Sequence, residues 1–497
     1  MTLSNALARR LPSWAMTTDI SGEVPFADAV DRYLTSVTAP FSTPGHKRNP
    51  ALIGADPLLL CDAPHHGGAD DLRSSLEVLE RAEALAAAAW NADFARFSHN
   101  GSTHPNQALC LAATRPGEPV LVSRTCHKSV YAGLILSGAR PVWVTPDVDD
   151  VLGLPLGVRA EQVATGLVAE PGVTAAILVE PSYVGVMSDV AAFARSCHGH
   201  GIPLIVDHAW AAHFGFADNV PQNALTLGAD AMAISIHKTL TSFTPGALLL
   251  ARATGRIDLE RLAASFDALL TTSPSGTIYG SIDRARELIA RRGPELLVQA
   301  ERLARAAGER ISAIDGVRVL DDAVLAEPSV AHRDPLKLVL DLSRSGADGI
   351  ELDRFLRADG IQLEGADRRT VVPLITIGDD EARVAHLCDA LERGIAAGRG
   401  FHREPPAVAT SWRSLPPQAM TPREAFFAPS ERVPAEHLTG RVSAEFVVPY
   451  PPGIPALAPG EVVEPELYEA LQSEAAAGTR MASASDPTLR TLLVVAK

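Results

Sequence analysis

The chain has 497 residues, 46% of them hydrophobic, 21% charged and 5% aromatic, a globular balance that excludes a disordered or fibrous chain and has the length of about three domains. Lys and Arg total 44 against 59 Asp and Glu, a net charge of −15; that acidity argues against nucleic acid or an anionic membrane as partner and suits solubility and cationic ligands. Lysine stands only at positions 47, 128, 238, 337 and 497, a bias that a GC-rich codon preference explains, and any chemistry needing a lysine amine has those five candidates.

The first residues, MTLSNALARRLPSWAMTTD, carry two arginines but no apolar core long enough for a signal peptide. Residues 1–50 read as an arm, with one weak helix from Phe26 to Leu34 and the polar turn Thr43-Pro44-Gly45-His46-Lys47. The alanine-rich run from Leu76 to Ala92 keeps its apolar residues on one face and predicts a helix. Short apolar strands then alternate with helices: strand 119–123 (PVLVS), helix 130–139, strands 141–145 (PVWVT) and 175–180 (AAILVE), and helix 190–199. Strands 203–207 (PLIVD), 231–235 (AMAIS) and 246–251 (GALLLA) complete the set. That order predicts a mostly parallel sheet, covered on both faces, inside a large domain spanning 51–310.

From Asp258 to Ile314 the pattern is helical, with the turn TTSPSG (271–276) inside it. A second α/β unit (311–403) follows: strand 337–342, helix 349–360, strand 371–376 and helix 380–398. The prolines at 405, 406, 416 and 417 read as a linker, and the last part of 404–497 holds YPPGIPALAPGE (450–461), too proline-dense for regular structure. Five scattered cysteines without a CxxC pair point to reduced thiols and a cytoplasmic home. The most apolar stretch, Ile234 to Leu250, is interrupted by His237, Lys238, Pro245 and Gly246, so no membrane span is expected.

Chemistry concentrates where strands end. Strand 231–235 runs into Ile236-His237-Lys238-Thr239. Burying an ammonium unpaired is costly, so this lysine is resolved by a salt bridge, by a snorkelling surface position or by a Schiff base with a cofactor aldehyde. Asp207 ends its own strand in the same manner, and ligands collect at the carboxyl ends of parallel strands. Taken alone it reads as a helix cap or turn residue; beside a lysine it fits pyridoxal 5'-phosphate (PLP), whose ring nitrogen such an Asp keeps protonated. Asn100-Gly101-Ser102-Thr103 precedes the helical stretch PNQALCLAA. It offers close backbone approach, hydroxyl donors and a helix N-terminus for a phosphate, although similar turns commonly just cap helices. His127, after strand 119–123, is either a surface turn residue or a ring that stacks on the cofactor. Phosphate loop, stacker, Asp and Lys in this order weigh more than any one of them.

With these residues in place, the sequence resembles the Orn/Lys/Arg decarboxylases of PLP fold type I, in their shorter bacterial form. The resemblance runs through nearly the whole chain. It is carried by PGHK (44–47), DDL (70–72), NGST…NQA (100–108), PGEPVLVSRTCHKSVYAGLILSGARPV (116–142), EPSYVGV (180–186), VDHAWAAHF (206–214), SIHKTL (235–240), TTSPS (271–275), ITIGD (375–379) and YPPGIPALAPGE (450–461).

It implies a PLP-dependent transferase fold type I, with a mostly parallel large-domain sheet, a smaller α/β domain and a C-terminal cap domain. Lys238 is then the Schiff-base lysine and Asp207 the partner of the ring nitrogen. Ser102, Thr103 and His237 sit near the phosphate, with Ser235 a further candidate, and His127 stacks on the pyridine. Trp210 matches a tryptophan near the cofactor in some members. Thr272 and Ser273 resemble a segment that reaches a neighbouring subunit's cofactor, which implies a homodimer, or a dimer of dimers, with shared sites. PGHK would lie near the entrance. No metal is implied. Because PGHK begins at residue 44, a large N-terminal wing domain has no room, and a decamer built on that wing is not expected.

Of the other lysines, Lys497 is terminal, Lys337 begins a strand of the smaller domain, and Lys47 and Lys128 lie in motifs away from the Schiff-base role. The implied reaction is decarboxylation of arginine, lysine or ornithine to the amine and CO2, with the proton returned by Lys238, His237 or an entrance residue. Glu364 and Glu445 are candidates for holding the cationic tail, against the plainer reading of each as a surface carboxylate. The sequence departs from the family pattern at Arg73, His208, Pro245 and Gly276, around the pocket. A specialised amino acid, with transamination, elimination or oxidative deamination as outcome, therefore stays open, as does a non-catalytic regulatory relative.

Overall fold

The computed structural model describes residues 22–38, 40–54, 56–65, 77–150, 153–399, 415–450 and 453–497. DDL (70–72), Arg73, most of the Pro-rich linker, Pro451 and Pro452 lie outside the described residues.

Strands form where apolar, largely β-branched or leucine-rich segments can be covered on both sides. Seven do so here: β1 (Phe94–Ser98), β2 (Pro119–Ser123), β3 (Arg140–Val144), β4 (Ala176–Val179), β5 (Leu204–Asp207), β6 (Ala231–Ser235) and β7 (Ala247–Ala251). Their spatial order is β1-β7-β6-β5-β4-β2-β3. β2 to β6 run parallel with β3 at one edge, and β7 lies antiparallel to both β6 and β1. Side chains alternate between two cores, as the pleat requires. Val120, Val122, Ile177, Ile205 and Ala233 face helices Thr103–Ala113, Lys128–Ser137 and Leu259–Leu269. Leu121, Leu178, Val206, Met232 and Ile234 face helices Val78–Ala89, Ala160–Ala169 and Val190–Gly199, and the long helix Gly276–Ser312. Between two of the covering helices the contact is so close that a Cβ at Gly133 would fall 2.5 Å from Cys110 Sγ.

The smaller unit carries a four-stranded sheet in the order Gly365–Ala366, Thr370–Val372, Leu340–Asp341, Arg318–Val319, with helices Gly349–Ala358 and Glu381–Gly398 against it. Its strands are antiparallel and shorter than the apolar runs suggest. Pro373 has no N–H to donate and ends the strand that Thr370 begins. Lys337 joins the ladder only through a single bridge to Leu374. The proline-dense Gly453–Gly460 forms neither helix nor strand of any length, as expected. Around it two short ladders, Ser430–Pro434 with Thr491–Val495 and Val448–Tyr450 with Arg480–Ala482, enclose a third core. No helix among the described residues is long and apolar enough to cross a membrane.

One buried side chain ties this C-terminal unit to the large sheet. Arg124, just past β2, donates to Tyr131 Oη (2.8 Å), to the carbonyls of Pro455 (2.6 Å) and Ala456 (3.1 Å), and to Glu461 Oε2 (3.2 Å). Arg124 and Glu461 are both essentially inaccessible to solvent. Removing one partner of such a pair strands the other charge in the interior. Arg124→Met should therefore lower stability by about 3–5 kcal/mol, and adding Glu461→Gln should restore part of the loss. Denaturant melts of the two single variants and the double variant check this; additive losses would deny the coupling.

Candidate active site

Because β2, β4, β5 and β6 are parallel, the segments leaving them emerge on one edge of the sheet, where helix Thr103–Ala113 also begins. They line a cavity of 320 Å³ whose walls include Ser102, Thr103, His127, Asp207, Trp210, Ser235, His237 and Lys238. Eight of the ten residues expected from the sequence are thus brought together. Thr272 and Ser273 are exposed and line neither this cavity nor its neighbour.

Asp207 is buried at the end of β5. Its Oδ2 accepts from Asn106 Nδ2 (2.9 Å) and its Oδ1 from the N–H of Ala209 (3.3 Å). Burial raises its pKa, opposed by the charge of Lys238 and by those two hydrogen bonds. Asn106 also donates to Ser129 Oγ (3.0 Å), which lies 3.0 Å from His127 Nδ1. The Ser129 N–H donates to the same nitrogen at 3.2 Å, so Nδ1 is an acceptor and the ring proton sits on Nε2. Burial, with help from Lys238 and Lys128, pushes the His127 pKa down to about 4. The imidazole is therefore neutral and held in one orientation, as a stacking ring must be.

Lys238 lies in the single turn Ile236–Thr239 that follows β6. Burial lowers its pKa, against Asp207 and Glu364, which hold it up, and its Nζ is 4.0 Å from the centroid of the Trp210 ring. Next to it, His237 Nδ1 donates to the Gly246 carbonyl at 2.9 Å, leaving Nε2 as an acceptor, and burial lowers its pKa as well. Ser235 Oγ donates to Ser102 Oγ (3.0 Å). Ser102 precedes helix Thr103–Ala113 without capping it by its side chain, so the first-turn N–H groups face outward without an acceptor in the helix. Gly101 has φ +59°, a conformation that L side chains avoid, and its N–H donates to the Pro245 carbonyl (2.7 Å).

This donor set fits PLP. A helix N-terminus with two hydroxyls suits a phosphate dianion. A neutral imidazole can stack, a buried carboxylate lacking a cationic hydrogen-bond partner suits a protonated ring nitrogen, and a lysine with depressed pKa suits an aldehyde.

A second cavity of 550 Å³ shares His127, Tyr183, Trp210, His237 and Lys238 with the first and adds Lys128, Glu364, Tyr450 and Arg480 from outside the PLP set. Burial raises the pKa of Glu364, opposed by Lys337, Lys238 and a hydrogen bond with Tyr450. Glu445 does not reach either cavity. It is buried, and its carboxylate accepts from Ser485 N–H (2.6 Å), Ser485 Oγ (2.9 Å) and Leu493 N–H (2.6 Å). It is a staple of the C-terminal unit, neither a tail-binding group nor a surface carboxylate.

Of the other departures, His208 is buried behind the site, where its ring meets the Glu180 carbonyl and the N–H of Ala224. Pro245 forms part of the cavity wall. Gly276 begins the long helix with Ala63 O only 3.0 Å from where a Cβ would stand. Sequence reasoning missed Asn106, Ser129, Tyr183 and Lys337. Asn106 had a signal, since it stands one helical turn after Thr103; Lys337 had none, since it begins its apolar run where Lys238 follows one.

The family model described as "Orn/Lys/Arg decarboxylase, major domain" matches residues 24–383, and its "C-terminal domain" matches residues 406–476. An arginine decarboxylase of Halalkalibacterium halodurans is 32% identical over 462 residues, 92% of this chain and 94% of that one. An arginine decarboxylase of Bacillus subtilis is 29% identical over 484 residues, 95% of this chain and 98% of that one. The crystal structure of a lysine decarboxylase from Francisella novicida superposes with a TM-score of 0.80 at 18% identity, covering 96% of this chain and 81% of the other, a likeness of fold. With two family models in sequence over most of its length and a site that fits their cofactor, the chain belongs to the Orn/Lys/Arg decarboxylase family.

Proposed function

We propose that this protein removes the α-carboxyl group of a basic L-amino acid, arginine foremost, using PLP held by Lys238 and Asp207. The observation that carries this reading is the convergence on one cavity of a buried carboxylate, a lysine of lowered pKa and a helix N-terminus, with Glu364 in the adjoining chamber. When bound, the cofactor supplies a ring that takes up the electron pair left by departing CO2.

The chain's own residues do the rest. Asp207, fixed by Asn106, holds a proton at the ring nitrogen. His127, turned by Ser129, stacks and stays neutral. Lys238, once freed, is placed to hand a proton back to the carbon that lost the carboxylate, and His237 offers its free Nε2 beside it. Trp210 and Tyr183 wall the chamber and thin out water, which strengthens every charge interaction inside. Glu364 receives the cationic tail: a carboxylate accepts two parallel N–H bonds from a guanidinium. That arginine is the substrate of relatives matching more than nine-tenths of this chain supports placing it first. The product would be agmatine, a polyamine precursor.

The exposed Thr272 and Ser273 support a homodimer in which this turn completes the neighbouring site. Five cysteines without a disulfide, four of them buried, support a cytoplasmic home.

Three experiments test the reading. Borohydride reduction of the PLP-loaded protein should fix the cofactor on Lys238 and leave Lys238→Ala unlabelled; label on another lysine defeats the assignment. Incubation with arginine, lysine and ornithine, read by product mass, should give one amine and CO2 in equal amounts, and a keto acid or ammonia would contradict decarboxylation. Glu364→Gln should raise KM for the preferred substrate about 10- to 100-fold with a smaller change in kcat. Equal KM values in the two proteins would remove Glu364 from the tail site.

A further inference from the structure

Lys337 is 3% exposed, and its Nζ has no hydrogen-bond partner among the described residues. Burying an ammonium in this way costs free energy that a methionine of similar length would not incur. Its surroundings are made for it nonetheless. A Cβ at Gly185 would stand 2.7 Å from the Lys337 Cβ, so the glycine leaves the groove in which the lysine stem lies. The nitrogen reaches the Trp210 ring (3.5 Å to the centroid) and the Tyr183 ring (4.9 Å). The same indole carries Lys238 Nζ at 4.0 Å. Two ammonium nitrogens therefore share one ring, at most about 7.5 Å apart.

We propose that Lys337 is a positioning residue for the active lysine: its charge holds the Trp210 indole in place as a cavity wall and lowers the proton affinity of the Lys238 nitrogen that contacts the same ring. A cation over an aromatic face is attracted to the ring, more strongly when water is excluded. A second cation next to a lysine favours the neutral amine, the form that attacks a carbonyl and accepts a proton. The groups facing Lys337 are Glu364 from the smaller unit, Asp334 on its own segment, Lys238 at the same Trp210 ring, and the phenol of Tyr183. Asp334 is already engaged by His213 Nε2 (3.2 Å) and the N–H of Leu336 (3.0 Å). Burial pushes the Lys337 pKa down to about 8, with Glu364 and Asp334 holding it up, so it remains largely charged at neutral pH. Glu364 gains in turn, because the ammonium favours its anionic form.

This inference rests on Lys238 being the cofactor-linked lysine. It is tested in PLP-loaded protein by titrating the visible absorbance band of the lysine–cofactor link against pH. Lys337→Met should move the midpoint upward by about one pH unit, from removal of a charge at that distance; Lys337→Gln should do the same, and Lys337→Arg should stay near the parent. The acid limb of kcat/KM should follow the absorbance, while thermal stability of the Met variant should equal or exceed that of the parent. A midpoint unmoved in both neutral variants, with the label still on Lys238, overturns the role of Lys337 alone. A band that survives Lys238→Ala overturns the assignment of Lys238, and this inference with it.

Discussion

Two opposite charges buried at and just past the ends of the neighbouring strands β5 and β6 set the terms for the rest of the fold. In register, Asp207 lies beside Ala233, and the chain then needs only Ser235 and one helical turn to present Lys238. Desolvation works against both ionised forms, and each raises the other's charged population. Neither is released from that cost by a direct salt bridge among the described residues. The surrounding bonds serve to keep the arrangement from relaxing: Asn106 fixes the carboxylate, and Trp210 covers the amine. A ligand that brings a protonated ring nitrogen to one and an aldehyde carbon to the other relieves both at once.

The outer units dock on the loops that form this site. Arg124 stands three residues before His127, and its bonds to Pro455, Ala456 and Glu461 align the C-terminal segment with the His127 ring. Gly453 and Ile454 become cavity wall by that alignment. On the other side the pair Val186–Met187 forms a ladder with His332–Arg333, and the Asp334 N–H donates to the Gly185 carbonyl at 2.7 Å. The buried His213–Asp334 contact adds a third point. Groups that line the second cavity, Glu364 and Tyr450 among them, thus arrive on units whose positions are fixed by buried polar contacts, and such contacts tolerate little displacement.

How much of this the sequence made legible depends on whether the physics was local. AMAIS and PVLVS coincide with their strands to the residue because unbroken apolar runs of that length suit only a sheet covered on both faces. Helix Val190–Gly199 is equally plain, with Asp189 capping it. The smaller sheet was harder: KLVLDL reads as a six-residue strand, yet Leu340–Asp341 alone joins the sheet, because pairing there depends on partners far along the chain and on Pro373. Glu445 reads as a tail-binding or surface carboxylate, and Lys337 only as the start of a strand. Exposure of a charged residue is the reasonable expectation from sequence, and only three-dimensional packing shows that one is used up by Ser485 and Leu493 while the other is driven against Trp210. The PLP set was legible because its residues sit at strand ends, where periodicity stops and chemistry begins.

Scarcity of lysine gives the site its last constraint. Of the five, Lys128, Lys238 and Lys337 gather within one region of the fold, so the question is what sets Lys238 apart from the others. Lowered pKa does not decide it, because burial lowers both Lys238 and Lys337. Access does. Lys238 opens into the cavity with Asp207, Ser102 and Thr103, whereas Lys337, against the Trp210 and Tyr183 rings, lines neither cavity. An amine that meets no ligand can still act through its field, and a field needs no opening. Trp210 therefore meets two lysines of similar chemistry, one that lines the cavity and one that bears on it only through its charge.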